Sequence, residues 1–495
     1  MVSVLNSNAG GNERRFDSSS CIPFWIDGKE VTSTSQFEVF SATDQRLLYR
    51  CSSATEQDVS NAISSAERAF KSWSQTKPNV RRDIFLRAAE EMLRRRDELR
   101  HWTVSETGAP NAFFEFQYNA AYKACKSVAG LIQVATSSVM PVVDEEGSSA
   151  IISKEPLGVV LGISPWNAPY VLGLRACLQP LAMGNVVILK GAEASPATYW
   201  ALSSVLHAAG LPAGCLNTLY HRQSDAAEIT RALIANPAIR KINFTGSTAV
   251  GSIVASLAGR YLKPAVLELG GKAPAIVCED ADILNAAQQC AQGAFLHAGQ
   301  ICMSTERIIV HSQVADAFRA AFKVAIDQTF GGKEETAQAL QLLSGIPVEK
   351  NKKLLDDAVS KGAQIVYGDV NRREASTSQK RPVVVEKVTP EMDLYYTESF
   401  GPTVSVYIVT SDDEAIKLAN DTEYGLSAAI FTEDLRRALR IARQLQSGAV
   451  HINSMTVHDD ASLPHGGVKS SGFGRFNCVQ GLDEWTQTKT ITWKD

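Results

Sequence analysis

Among nine cysteines, Cys302 is set apart by its neighbours. It lies in FLHAGQICMSTER, Phe295 to Arg307, among small and polar residues rather than inside a strand or an amphipathic helix. A nucleophilic cysteine needs room for a substrate, a lowered pKa and donors around a developing oxyanion. A glycine-containing loop leading into a helix N-terminus supplies all three. The alternative is one more inert buried thiol, the commoner fate of a cysteine. In VLELGGKAPAIV, Glu268 stands in an apolar strand just before Gly270 and Gly271. A carboxylate there is costly to bury without a purpose or partner. It reads either as a general base of raised pKa or as one half of a salt bridge, for example to Lys272. In GISPWNAPY, Asn167 offers an amide donor on a turn stiffened by Pro165 and Pro169, although an Asn between prolines is usually only a turn residue. FTGSTAVGS, Phe244 to Ser252, spaces Gly246 and Gly251 like a phosphate loop but has Ser252 where the lysine must stand, which disfavours ATP or GTP. What is left is a glycine turn whose Ser247 hydroxyl and helix N-terminal N–H groups suit a pyrophosphate.

The elements around these residues follow from hydrophobic pattern. Thr55 and Asp58 form a capping box ahead of Val59, Ala62, Ile63, Ala66, Phe70 and Trp73 at helical spacing, and helical character continues from Arg81 to Trp102. Short apolar runs then alternate with helical segments: GVVLGI, NVVILK, CLNTLY and KINF. This predicts a parallel sheet covered on both faces, a doubly wound layout of dinucleotide-binding type. A second α/β region carries AIVC, RIIV, PVVV, VSVYIV and AAIF. Ser137 to Pro156 alternates like a hairpin turning at Glu145-Glu146-Gly147, and Thr486 to Trp493 reads as a lone strand. Both need partners for their edges, which are expected from another subunit. The expected division is a disordered N-terminus at 1–20, a dinucleotide-binding domain at 21–136 and 157–265, a catalytic domain at 266–465, and oligomerisation segments at 137–156 and 476–495.

Composition removes other classes. Lys plus Arg number 49 against 53 Asp plus Glu, a net charge of −4, so nucleic-acid or polybasic membrane binding has no large basic excess to draw on. No apolar run approaches the roughly 18 residues of a spanning helix, and the first twenty residues lack an apolar signal core, so a cytoplasmic location is expected. The cysteines show no C-x-x-C pair and the eight histidines no metal-ligand spacing, so neither a disulfide framework nor a metal site is expected.

The four segments, in this order and spacing, resemble the aldehyde dehydrogenase superfamily from about Phe24 to Trp493, joined by LKGAEASP, ESFGP, NDTEYGLSAAIFTED and LPHGGVKSSGFGR. The resemblance implies that Cys302 attacks the aldehyde carbon, that Asn167 and the Cys302 N–H hold the oxyanion, and that Glu268 activates the water that hydrolyses the resulting thioester. It also implies a dinucleotide lined by Ile163, Ser164, Pro165, Trp166, Gly246, Ser247, Gly251 and Leu269. Lys190 and Glu193 would hold the adenosine ribose, and Glu398 and Phe400 the nicotinamide ribose. A carboxylate at Glu193 accepts from a free 2′-OH and repels a 2′-phosphate, which favours NAD over NADP. Three departures stand out: Lys190-Gly191-Ala192-Glu193 lacks the family's proline, HRQSDAAE replaces a glycine turn near Ser224, and His465 stands where an aromatic is frequent.

NAPYVLGLRA and INSMTVHD are similar to the salicylaldehyde and vanillin dehydrogenase branch. That implies a small aromatic aldehyde, hydroxylated on the ring, with Arg175, Tyr170, Ile301, Met303 and Met455 along the substrate tunnel and a homodimeric or homotetrameric assembly. Arg175 reads equally as half of a structural ion pair. Competing readings are an aliphatic or semialdehyde dehydrogenase of the same mechanism, a non-redox cysteine esterase, and a non-catalytic homologue.

Overall fold

The computed structural model describes residues 16–331 and 339–494. Two sheets organise it. The first has eight strands in the order Gly472–Phe473, Ala265–Glu268, Ile239–Thr245, Val159–Ile163, Val186–Lys190, Leu216–Leu219, Phe24–Ile26 and Lys29–Val31. The five from Ala265–Glu268 to Leu216–Leu219 are parallel. Their side chains are buried on both faces, apart from Ala265 and Arg240, which explains their unbroken apolar runs. Chain order reverses between Val159–Ile163 and Ile239–Thr245, where a doubly wound sheet opens a crevice at its carboxyl edge.

That edge collects expected site residues by register. Lys190 pairs with Ile163 and Ile163 with Phe244; one step on, Thr245 pairs with Glu268. The second sheet runs Gln364–Tyr367, Val383–Glu386, Thr403–Val409, Thr305–His311, Ala273–Val277, Ser427–Phe431 and Ala449–Ile452, and all but the first strand are parallel. The doubly wound two-domain architecture is therefore as expected.

The helix Glu56–Trp73 begins at the Thr55–Asp58 capping box, and Val59, Ala62, Ile63, Ala66 and Trp73 are buried. The helical character expected from Arg81 to Trp102 is carried by two helices, Pro78–Arg94 and Arg96–Thr107, which meet at Arg95. Among the described residues no helix is long and apolar enough to cross a membrane.

Three boundaries are corrected. Ala265–Glu268 pairs with Ile239–Thr245, so the first domain extends through Glu268 rather than stopping at 265. Phe476, Leu482 and Trp485 are buried in the core of the first domain, so only Thr486 onward stands apart from it. That tail, Thr486–Lys494, pairs antiparallel with Ser148–Pro156 of its own chain, and Val139 adds an isolated bridge to Ile152. Apolar alternation marks a strand but not which edge it joins. Of the expected disordered N-terminus, residues 1–15 lie outside the described residues, while Phe16 packs against Trp200 at 4.9 Å between ring centroids.

Candidate active site

Glu268 is the last residue of its strand, and the chain then crosses through Gly270 and Gly271 to the second sheet at Ala273. Cys302 lies in the loop that precedes Thr305–His311, the neighbour of Ala273–Val277. The crossing and the loop therefore touch. The Cys302 thiol donates to Glu268 Oε1 at 3.8 Å. Just upstream, His297 and Ala298 take left-handed backbone angles, φ 50° and 57°, and the His297 ring stacks on Phe113 at 4.3 Å. Cys302 leads into a strand, Thr305–His311, not the expected helix N-terminus.

Asn167 ends the turn before the helix Pro169–Ala182 and donates to the Gln300 carbonyl at 3.0 Å, two residues from Cys302. Arg175, one face further along that helix, donates to Glu268 Oε2 at 2.7 Å and also pairs with Asp459. His465 Nε2 lies 3.1 Å from Glu268 Oε1. Of the two roles open to Arg175, its contacts within the protein are those of an ion pair. Lys272 does not pair with Glu268; it bonds Glu306 at 2.5 Å.

Both expected pKa directions are reversed. Although burial opposes it, the Arg175 guanidinium and then His465 draw the Glu268 carboxyl down to about 2. Desolvation, with the Glu268 and Glu398 carboxylates, pushes the Cys302 thiol well up, so the resting group is a neutral thiol.

Ile301 and Met303 are buried beside Cys302 and Met455 in one apolar cluster with Ala168, Leu172 and Val457. A cleft of about 720 Å³ opens there, walled by Phe116, Leu296, His297 and Met455. Tyr170 is not part of this wall. Its hydroxyl donates to the Leu99 carbonyl at 2.7 Å inside the core of the first domain, because the first turn of its helix points it away from the loop. Asp459 was missed from sequence, lying 284 residues from Arg175 in a segment without periodicity; His465 showed only as a departure from the family's pattern.

A model of the aldehyde dehydrogenase family matches residues 25–491. The chain belongs to the aldehyde dehydrogenase family. The vanillin dehydrogenase of Pseudomonas fluorescens is 42% identical over 475 residues, covering 95% of this chain and 97% of that one. A salicylaldehyde dehydrogenase of Pseudomonas putida is 37% identical over 471 residues, 94% and 96% of the two chains. The crystal structure of a salicylaldehyde dehydrogenase from Pseudomonas putida G7 complexed with salicylaldehyde superposes with a TM-score of 0.91 at 36% identity, covering 96% of this chain and 98% of that one.

Aldehyde dehydrogenases are NAD(P)-dependent oxidoreductases, and this chain has a surface that fits a dinucleotide. At the switch-point crevice, Ser247 is the exposed N-cap of Thr248–Arg260, accepting from Val250 N, and a Cβ on Gly251 would run into the Leu269 side chain at 2.3 Å. Ser164, Pro165 and Trp166 leave the adjacent strand, with the Pro165 carbonyl fixed by the Tyr199 hydroxyl at 2.6 Å. Lys190 lies 3.9 Å from Glu193. Glu398 accepts from Gly271 N at 2.9 Å and would be struck at 2.7 Å by a Cβ on Gly270, while Phe400 meets Trp166 edge-on at 6.1 Å. A carboxylate held by one backbone donor keeps further acceptor sites for sugar hydroxyls.

Proposed function

We infer that this aldehyde dehydrogenase oxidises a small aromatic aldehyde, hydroxylated on the ring, to the carboxylic acid with NAD. The observation that carries the reading is the contact of Cys302 and Glu268 at 3.8 Å beside the apolar cluster of Ile301, Met303 and Met455, the last of which also walls the cleft. Cys302 is the nucleophile. Asn167 and the Cys302 backbone N–H are the oxyanion donors, a pair in which each donor is worth roughly 10²–10³ in rate. The Asn167 amide has a second hydrogen beyond the one given to Gln300. A bound nicotinamide dinucleotide supplies the acceptor for the hydride that leaves the aldehyde carbon. Glu268 then takes a proton from the water that hydrolyses the Cys302 thioester.

Ile163 to Trp166, Gly246 to Gly251 and Leu269 flank the dinucleotide. Lys190 and Glu193 hold the adenosine ribose, and Glu398 and Phe400 the nicotinamide ribose. A carboxylate at Glu193 favours NAD over NADP by repelling a 2′-phosphate. The aromatic substrate is supported by the relatives named for vanillin and salicylaldehyde. The assembly is a homodimer or homotetramer in the cytoplasm, in keeping with exposed Val139, Met140, Val142, Ile491 and Trp493 around the two-stranded tail sheet.

A panel of aldehydes assayed by NADH formation tests the substrate. Higher kcat/KM for hydroxybenzaldehydes than for long aliphatic aldehydes is expected, and the opposite order overturns it. The same panel run with NADP tests Glu193.

A further inference from the structure

The general base is not free. Glu268 Oε2 is held by Arg175 at 2.7 Å, and Oε1 is shared between His465 Nε2 at 3.1 Å and the Cys302 thiol at 3.8 Å. Both the Glu268 and Arg175 side chains are almost wholly desolvated, 1% and 4% exposed, so the pair is little screened. Arg175 cannot readily turn away. Its other terminal nitrogen pairs with Asp459, whose Oδ1 accepts from Asn477 Nδ2 at 3.1 Å, and its guanidinium stands 5.3 Å from the Phe476 ring. Asp459 also keeps Arg175 paired should Glu268 leave, which removes the large cost of stranding a buried cation.

We propose that Arg175 is a latch on Glu268, a positioning residue that holds the carboxylate in the resting enzyme and must release it before the acyl-enzyme can be hydrolysed. The proposal rests on the reading of Glu268 as the base. In the step concerned, water oxygen bonds to the thioester carbon, one water proton goes to Glu268, and the carbon–sulfur bond breaks. The acid departs, and Cys302 recovers a proton to become a thiol. A carboxylate held down to about 2 is a poor acceptor for that water proton, because general bases work best with a pKa near the working pH. Released from Arg175 into the same apolar surroundings, it becomes a stronger base. The charged and titratable groups around it are Arg175 and Asp459 on one side, His465 with His451 in its field on another, and Cys302 with Glu398 beyond it.

The test uses two opposed variants of the full chain. Asp459→Asn leaves Arg175 with Glu268 as its remaining carboxylate, tightening the latch. Acyl-enzyme hydrolysis, read by rapid-quench release of the aromatic acid, should slow by about tenfold, equivalent to roughly 1.4 kcal/mol, while the first burst of NADH keeps its amplitude. Arg175→Met with Asp459→Asn removes the latch without stranding a charge. Hydrolysis should then speed up, and its acid limb should move to higher pH, because the unpaired carboxyl gives up its proton less easily.

Glu268→Gln is the control. If it hydrolyses like wild type, the base reading fails and the latch with it. If it stalls after the burst while Asp459→Asn and the double variant keep wild-type hydrolysis, the latch alone is overturned. Asp459→Asn is nearly isosteric, so it still decides the matter should the double variant fail to fold.

Discussion

Gly271 and Cys302 are packed backbone to backbone: a Cβ on Gly271 would stand 2.2 Å from the Cys302 carbonyl oxygen. The two sheets meet at this point, so Gly271, three residues past the strand that ends at Glu268, sets how close the Cys302 loop can come. Gly271→Ala should push the loop away, destabilising the protein by about 1–3 kcal/mol and lowering kcat more than it raises KM. Thermal denaturation and steady-state NADH formation check both parts.

Cys302→Ser should leave the fold and dinucleotide binding unchanged, because the side chain is half-buried and small, while kcat falls by at least about 10³-fold. NAD at about 100 times its dissociation constant should still add roughly 2.7 kcal/mol of stability to the variant. Retained dehydrogenase activity would sink the nucleophile assignment.

Lys272 and Glu306 form a buried pair, and Glu306 also accepts from Ser399 N at 2.8 Å and Phe400 N at 3.2 Å. Lys272→Met should leave Glu306 unpaired, cost about 3–5 kcal/mol in chemical denaturation, and raise the KM for cofactor by loosening the segment that carries Glu398 and Phe400. An unchanged midpoint would contradict the pairing.

Burial, with Glu306 nearby, raises the Glu398 carboxyl to about 7. Below that pH the group is the neutral acid; above it, the anion that accepts ribose hydroxyls. NAD affinity should therefore improve from pH 6 to pH 8. Titration calorimetry at the two pH values measures it, and Glu398→Gln should remove the difference.

Much of the fold was legible because its strands are buried on both faces and read as continuous apolar runs; the Thr55 capping box and the strand, turn and helix at Gly246 were local signals as well. The candidate nucleophile, Cys302, was legible for the opposite reason: FLHAGQICMSTER fits neither period. Residues expected to face the cofactor fell on the carboxyl edge of one sheet, where neighbouring-strand register aligned Lys190 with Ile163.

What the chain order alone determined, then, was the two sets of apolar strands, the family resemblance and the candidate triad of Cys302, Glu268 and Asn167. Tertiary structure decided their state. Arg175 and Asp459 are 284 residues apart, and Glu268 and His465 are 197 apart. Neither spacing has a period that sequence can display, yet these contacts turn an expected raised carboxyl into a depressed one. It also decided that Tyr170 belongs to the core and that the tail pairs with its own chain. A side chain's neighbours across sheets depend on how elements dock, and docking sets desolvation and Coulomb interaction together.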